Sequence, residues 1–409
     1  MTRGYFKKLL RYMKGVYGLE DELRNLRDDR KNPKYRTSEV ALPVLLGFLN
    51  RIGSFNELKF RLKSKDYCRI VSRRMTLPQI DTIRDTLKVI NLDDVRKMHT
   101  NIIRKARRNK SFCDGTIDGY TVVAIDGTKL FGSYKKSCEE CLSTPMKNGK
   151  KYHYHNGAFL STIGEEPRVI LDYECYHGTM DSSNKDEGEL TVAKKLLTRV
   201  VKTHRSLIDV VVYDALACNG SWINHCLAND VIPIVRVKNS NIISIKEVKK
   251  KIGKTDVIME WEDEERQCKV QVYEQEFQMD GVETPLRFIK FAKRNLDKKR
   301  AQVMLMTTDF SISLKTLYTM IHKRWDIENS VFNKMKTYTG LEHCYMHHSN
   351  AMQAILYFFI MSVNLTSLFI SRRLRGKDIV KITQKKLIRL MEKEMYLMKY
   401  NEKYVLDTT

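Results

Sequence analysis

The chain has 409 residues and a formal net charge of +24, with 42% hydrophobic and 30% charged residues. This composition excludes an intrinsically disordered protein, and the length predicts two to four domains. Residues 1–110 carry 28 Lys and Arg against 12 Asp and Glu, and residues 372–409 carry 11 against 5, so two basic ends flank a nearly neutral middle region.

The first predicted region, residues 1–112, is helical and basic. Its apolar residues recur at helical spacing, as Leu42 and Leu45 do. Basic side chains such as Arg73 and Arg74 accompany the short predicted helices, which is typical of a helix-turn-helix module. A plain helical bundle explains the same periodicity. Because a basic surface of this size suits a polyanion, we interpret the region as a DNA-binding helical domain.

The next region, residues 117–238, alternates between apolar strands and amphipathic helices. A Gly-Glu-Glu-Pro turn joins the second and third strands and predicts an antiparallel hairpin. The predicted order is three strands (120–126, 155–164 and 168–176), a helix (191–204), a strand (208–214), a helix (222–228) and a strand (233–238). This order predicts an α/β fold with a ribonuclease-H-like mixed sheet.

The second half of the predicted core is separated from the first by strand-like segments. Residues 239–307 predict a β-rich insertion, after which the core resumes over 308–371. A long helix is predicted to end at Gly340. The apolar stretch 351–370 approaches the length of a membrane span, but polar residues interrupt it and favour a helix buried in protein. Residues 372–409 predict a basic helical tail.

Three acidic residues lie where strands or a helix can bring them together. Asp126 and Asp214 each close a β-branched apolar run, and Glu328 lies on the long predicted helix. Carboxylates at the ends of neighbouring strands project into one cleft, and their oxygens suit a pair of Mg²⁺ or Mn²⁺ ions. Each residue also has a structural interpretation: Asp126 as part of a turn, Asp214 as a helix cap, and Glu328 as the ion-pair partner of Arg324.

Three motifs carry a resemblance to a known family. They are AIDGTKLF around Asp126, VVVYDALACN around Asp214 and KRWDIENSVFNKMK around Glu328. In this order and at these separations, residues 117–371 resemble the bacterial insertion-sequence transposases of the DDE superfamily. The closer likeness is to the subgroup whose ribonuclease-H-like core is split by a β-rich insertion before the catalytic Glu.

The resemblance implies an enzyme that binds the terminal inverted repeats of a mobile element, cuts there, and joins the 3′ ends to target DNA. It implies that Asp126, Asp214 and Glu328 are catalytic and hold two Mg²⁺ (or Mn²⁺) ions, and that Arg324 contacts a phosphate. The implied partners are the double-stranded element ends, the target DNA and a second copy of the chain in a homodimer. Residues 1–112 would then be the domain that binds the DNA ends.

The chain departs from the subgroup at two positions of the third motif. Ile321 stands where a Tyr is expected, and Met335 stands where a Lys is expected seven residues beyond Glu328. We therefore assign the phosphate contact of that lysine to Lys334. Two alternatives to a transposase remain open: a related metal-dependent nuclease without strand transfer, and an inactive transposase relic that only binds DNA.

Nine cysteines, an odd number spread over a long chain, predict a reducing compartment, and we expect a cytoplasmic protein associated with the nucleoid. Cys138 and Cys141 form a CxxC pair, and His153 and His155 follow on a predicted strand. These four residues raise the hypothesis of a structural zinc site. Their spacing matches no standard zinc finger, so the sequence favours a hairpin tip with free thiols.

Overall fold

The computed structural model describes residues 4–64, 67, 76–135, 137–146, 149–178, 188–238, 242–295, 300–374 and 384–397. Arg73 and Arg74 of the predicted DNA-binding region lie outside the described residues. So do residues 375–383 and 398–409 of the predicted basic tail.

Six helices precede the first strand among the described residues. The last of them begins where the Asn91 side chain accepts a hydrogen bond from the Asp94 N–H, and basic residues occupy its final turn. Most of them bury one apolar face, whereas nearly every residue of the third, Thr37–Leu49, is buried. The helices are α1 (Tyr5–Tyr17), α2 (Leu19–Arg24), α3 (Thr37–Leu49), α4 (Phe55–Leu62), α5 (Ile80–Val89) and α6 (Leu92–Arg108).

A ten-stranded mixed sheet forms the centre of the molecule. Its first six strands are β1 (Val122–Ser133), β2 (Leu142–Pro145), β3 (Lys151–Thr162), β4 (Ile170–Cys175), β5 (Val210–Tyr213) and β6 (Ile232–Val237). Strand β3 pairs antiparallel with β1, β2 and β4, while β1, β5 and β6 are parallel. Helices α7 (Glu189–Thr203) and α8 (Gly220–Leu227) provide the crossovers. The predicted α/β class and mixed sheet are confirmed.

The predicted insertion continues the same sheet and is not a separate layer. After helix α9 (Ile243–Ile252) come β7 (Met259–Asp263), β8 (Cys268–Phe277), β9 (Leu286–Asn295) and β10 (Arg300–Thr307). These strands pair antiparallel in chain order, and β10 also pairs antiparallel with β6. The strand order therefore runs without a break from β2 through β3, β1, β5, β6, β10, β9 and β8 to β7.

The long helix predicted to end at Gly340 contains an irregular turn. It consists of α10 (Leu314–Lys323), a π-helical turn (Ile327–Phe332) and α11 (Asn333–Thr339). Gly340 follows with φ +64°, the left-handed conformation that glycine adopts at a helix end. Glu328 lies within the π-helical turn, and such turns are frequent at functional sites.

The apolar stretch 351–370 lies in the 25-residue helix α12 (Ser349–Arg373). By length and composition this helix is able to cross a membrane, but 89% of its most apolar window is buried inside the protein. It packs against α3, α5 and α6, so the N-terminal helices surround a helix supplied by the C-terminal half. Helix α13 (Gln384–Leu397) packs against α1.

Candidate active site

Asp126 and Asp214 lie at equivalent positions of two neighbouring parallel strands. Val122 pairs with Val210 and Ala124 with Val212, an offset of 88 residues, and the same offset separates the two aspartates. Adjacent strands lie about 4.8 Å apart, and side chains at even spacing project to the same face. The β-branched runs before them form the buried strands, and both carboxylates leave the sheet on the same face. Asp214 directly follows β5, whereas Asp126 lies within β1, two residues past Ala124, where the pairing with β5 ends.

Glu328 reaches this position from the helix packed across the sheet, whose π-helical turn contacts β1 and β3. Arg324 joins it to the strand. The guanidinium donates to Glu328 Oε1 from Nη2 at 2.9 Å and to Asp126 Oδ2 from Nη1 at 3.4 Å. The structure thus brings Asp126, Arg324 and Glu328 together although 198 residues separate the first two.

The electrostatics of this group favour an added cation. Burial and a hydrogen bond with Glu328 raise the pKa of Asp126 to about 7, even though the Arg324 guanidinium opposes that rise. Arg324 itself is only 3% exposed, and its Nε–H has no hydrogen-bond partner among the described residues. One buried guanidinium is therefore too little positive charge for the carboxylates it faces.

Asp214 also performs the local role that the sequence left open. Its Oδ1 accepts a hydrogen bond from the Leu216 N–H at 2.9 Å and caps a short 3₁₀ turn, Ala215–Ala217. This hydrogen bond fixes the direction of the carboxylate beyond the strand end. Capping and metal binding are compatible because a carboxylate offers two oxygens and several lone pairs.

A fourth carboxylate, Glu189, lies near Asp214 and the backbone after Asp126, and it was not among the predicted site residues. Tyr213 donates a hydrogen bond to its Oε1 at 3.1 Å. Burial raises the pKa of Glu189, and the charge of Asp214 raises it further. A Cβ atom added at Gly127 would lie 3.4 Å from the Glu189 carboxyl group and 2.6 Å from the Tyr176 hydroxyl. Glu189 therefore packs directly against the backbone that follows Asp126.

The donor set fits a hard divalent cation. One carboxylate within β1, one directly after β5, one at the start of α7 and one in the π-helical turn supply only oxygen ligands, which Mg²⁺ and Mn²⁺ prefer. The raised pKa of Asp126 supports this fit, because burial and the neighbouring Glu328 carboxyl disfavour its charged form and a nearby divalent cation would favour that form. Neighbouring Gly127, Lys129 and Tyr176 line a cleft of about 400 Å³ that opens beside these carboxylates.

Three other predicted positions are placed by the structure as follows. Lys334 forms an ion pair with Glu166 in the turn between β3 and β4, at 3.1 Å. Although burial opposes it, this ammonium holds the pKa of Glu166 below its usual range. Ile321 and Met335, which replace the expected Tyr and Lys, are 3% and 0% exposed and belong to the core.

Trp325 is on the surface and not in the core, where its apolar side chain would be expected. It is 42% exposed, and the Arg324 guanidinium lies over its ring at 4.4 Å. Arg236 at the end of β6 approaches the same ring at 5.8 Å. Trp261 of β7, in contrast, packs edge-on against Tyr318 of α10.

Comparison with known proteins agrees with this geometry. A family model described as a transposase DDE domain matches residues 117–365, a range that contains all four carboxylates and Arg324. No curated protein matches the chain. The matched range covers more than half of the 409 residues. The chain therefore belongs to the transposase DDE domain family, as the three sequence motifs predicted.

Proposed function

We propose that this transposase binds the terminal inverted repeats of its mobile element and catalyses Mg²⁺-dependent DNA cleavage and strand transfer. The observation that carries the proposal is the convergence of Asp126 and Glu328 on Arg324, beside the strand end that bears Asp214. The strongly basic ends of the chain support a DNA substrate.

Asp126, Asp214 and Glu328 would hold the metal ions, with Asp126 shared between two ions. When bound, a pair of Mg²⁺ or Mn²⁺ ions supplies the charge that activates an attacking oxygen and stabilises the leaving oxygen of a phosphodiester. The chain contributes the positions of these carboxylates. Glu189, packed behind Gly127 and hydrogen-bonded by Tyr213, would orient them from behind and is a positioning residue.

Arg324 would serve the substrate. Its guanidinium now neutralises Asp126 and Glu328, and bound cations would release it from that role. A forked guanidinium beside the metal ligands is suited to hold a phosphate by two hydrogen bonds. The exposed face of Trp325, which lies against Arg324, would then be available to stack on an unpaired base near the cut end.

The lysine of the third motif is better assigned to Lys336 than to Lys334. A π-helical turn contains one residue more than an α-helical turn, so the face of Glu328 recurs one position later in the following helix. The position seven residues beyond Glu328 then becomes the eighth, which is Lys336. Its side chain is 39% exposed and pairs with the exposed Glu342, whereas Lys334 is 17% exposed and held by Glu166. Lys336 is therefore the more accessible cation for DNA.

The remaining assignments concern the whole chain. Residues 1–112 would bind the DNA ends, 117–238 and 308–371 would form the catalytic core, and 239–307 would be the insertion. Two copies would act as a homodimer because two DNA ends must be held together. We expect the protein to act on DNA in the cytoplasm, at the nucleoid.

Incubation of the full chain with a labelled element end and Mg²⁺ tests the proposal. Inverted repeats in the DNA that flanks the gene define this end. Joined products are expected from the native protein, and loss of all products from Asp126→Asn and Asp214→Asn. The matched control is Asp256→Asn, an exposed aspartate far from the site in sequence. Cut products without joining would indicate a nuclease, and a shifted band without cutting would indicate a DNA-binding relic; either result contradicts the proposal.

A further inference from the structure

Four metal-ligating side chains meet at the other end of the β1–β3 hairpin. The thiols of Cys138 and Cys141 precede β2, His155 lies on β3, and His347 lies just before α12. One ligand atom from each residue lies within 4.8 Å of all the others. Because 192 residues separate His155 from His347, the cluster joins two distant parts of the catalytic region.

The distances within the cluster match the edges of a small tetrahedron. The two sulfur atoms are 3.6 Å apart. His155 Nε2 lies 3.3 Å from Cys138 Sγ and 3.2 Å from Cys141 Sγ, and His347 Nε2 lies 3.1 Å from Cys141 Sγ. With Zn–S near 2.3 Å and Zn–N near 2.0 Å, tetrahedral zinc requires ligand separations of roughly 3.3–3.8 Å. A zinc ion therefore fits with shifts of a few tenths of an ångström.

The backbone of the CxxC segment has the form that such a site needs. The Cys141 N–H donates to the Cys138 carbonyl at 3.2 Å, which closes a tight turn. The Cys138 N–H points back to Cys141 Sγ at 3.4 Å. Amide donors directed at a sulfur favour the thiolate, which is the form that binds metal. The turn therefore presents both sulfurs to the same point.

The surroundings are partly enclosed: His155 is buried, and Cys138, Cys141 and His347 are half-buried. His155 is 1% exposed, and the ring of Phe131 packs on both His155 and His347, with centroids 5.1 and 5.7 Å away. Two sulfur and two nitrogen donors with no open position are typical of structural zinc and unlike the oxygen ligands that Mg²⁺ prefers. The side chain of Glu140, between the two cysteines, also accepts a hydrogen bond from Ser349 at the start of α12.

The two cysteines and His155 were correctly grouped from the sequence, but the fourth residue of that group, His153, is not part of the cluster. His153 shares the strand face of His155, yet two residues along a strand are about 6.6 Å apart, which removes it from the cluster. Its place is taken by His347, which no local spacing connects to the CxxC pair. Both cysteines are free thiols, as the sequence favoured, and they belong to a cluster of four residues.

We propose that Cys138, Cys141, His155 and His347 bind one structural zinc ion that fastens the β1–β3 hairpin to the segment before α12. Neither the family match nor the proposed reaction assigns this site. The ion would hold the paired strands β1 and β3 at the end that lies away from Asp126. It would take no part in DNA cleavage. Its role is to stabilise the fold.

Metal analysis of the full chain, purified in reducing buffer without chelators, tests this proposal. About one zinc per chain is expected. Replacement of zinc by cobalt needs no mutation and is expected to give the absorption of tetrahedral cobalt with thiolate charge-transfer bands. Removal of zinc with a strong chelator is expected to lower the melting temperature by several degrees, and added Zn²⁺ is expected to restore it.

Paired substitutions separate ligands from their neighbours. Cys141→Ser, His155→Gln and His347→Gln are expected to lose zinc, whereas Cys344→Ser, His153→Gln and His348→Gln are expected to keep it. Cys344 and His348 are exposed neighbours of His347 in the chain, which makes them close controls. Absence of zinc, a cobalt spectrum without thiolate bands, a Cys138–Cys141 disulfide in the reduced preparation, or full zinc retention by His347→Gln would each overturn the proposal.

Discussion

Strands β1 and β3 connect two clusters of metal-ligating side chains that differ in almost every physical property. In the first half of β1, Asp126 lies near Glu328, Asp214 and Glu189 in a group of oxygen donors. Near the other end of β1, Phe131 packs on a group of two thiols and two imidazoles. The carboxylate cluster is suited to metal ions that contact a substrate, and the Cys/His cluster is suited to a metal ion that stays bound and stabilises the fold.

The difference shows how one hairpin can serve both reactivity and stability. Burial and a hydrogen bond with Glu328 raise the pKa of Asp126, and the Arg324 guanidinium and the Gly127 N–H oppose that rise. In the Cys/His cluster, the sulfur atoms and imidazole rings contact one another and an aromatic ring. A buried carboxyl group with a raised pKa is typical of a functional site, whereas two thiols and two imidazoles at tetrahedral spacing are typical of a structural site.

Arg324→Ala is expected to have the largest effect on the carboxylate cluster. In the proposed role of Arg324 as a phosphate contact, loss of its guanidinium is expected to lower the cleavage rate by about 10²–10³-fold. Without Mg²⁺, the same variant leaves Asp126 and Glu328 facing each other with no cation, so its melting temperature is expected to depend more strongly on added Mg²⁺ than that of the native protein. Cleavage assays and thermal melts with and without Mg²⁺ measure both effects. An unchanged cleavage rate would show that Arg324 serves structure alone.

Glu189→Gln is expected to reduce cleavage by about 10–100-fold, the range found for residues that orient metal ligands. The amide keeps the size of the side chain but removes the charge next to Asp214, so the Mg²⁺ concentration needed for half-maximal cleavage is expected to rise. DNA-end binding is expected to stay constant. The exposed Glu247→Gln serves as the control. Equal Mg²⁺ dependence in both variants would place Glu189 outside the metal site.

A smaller effect is expected for the lysines of the catalytic helix. Lys336→Ala is expected to weaken binding of the element end several-fold and to reduce its salt dependence by about one ion, because one phosphate contact is lost. Lys334→Ala removes a cation already paired with Glu166 and is expected to change binding less. Binding titrations over a series of salt concentrations compare the two. The reverse ranking would restore Lys334 as the phosphate contact.

A buried histidine outside both clusters is expected to affect stability and not activity. Burial lowers the pKa of His204, at the end of α7, to about 4, and His204 is 5% exposed. The unfolded chain takes up this proton near pH 6.5, so the free energy of unfolding is expected to fall between pH 6.5 and pH 4, by about 3 kcal/mol at most. Denaturant titrations of His204→Gln are expected to show a weaker pH dependence by about one proton. If the free energy of unfolding changes with pH equally in the variant and in the native protein, His204 does not have a lowered pKa in the folded chain.

The sequence predicted those features that depend on local pattern. β-branched runs ending in Asp126 and Asp214 gave the positions of two parallel strands, and the 88-residue separation proved to be their register. The helix carrying Arg324 and Glu328 at four-residue spacing was likewise predicted, and their contact follows from that spacing.

Features that depend on distant contacts were not predictable. Glu189 approaches Asp126 only because Gly127 has no side chain, and His347 reaches the cysteines only because α12 begins beside them. The π-helical turn that shifts the lysine position leaves no signal in the apolar periodicity on either side. Trp325 is an apolar residue that lies at the surface, where Arg236 and Arg324 both approach its ring.

The direct pairing of β10 with β6 has a consequence for how the protein can change shape and be redesigned. In the sequence, β7 to β10 resemble a separable insertion. In the structure they belong to the same sheet as the core, because β10 is hydrogen-bonded to β6, so they cannot move as a hinged unit. Deletion of these strands would leave the backbone hydrogen-bonding groups on one edge of β6 unpaired, and exposed strand edges promote aggregation. Any change of shape on DNA binding is therefore expected in the loops and surrounding helices and not within the sheet.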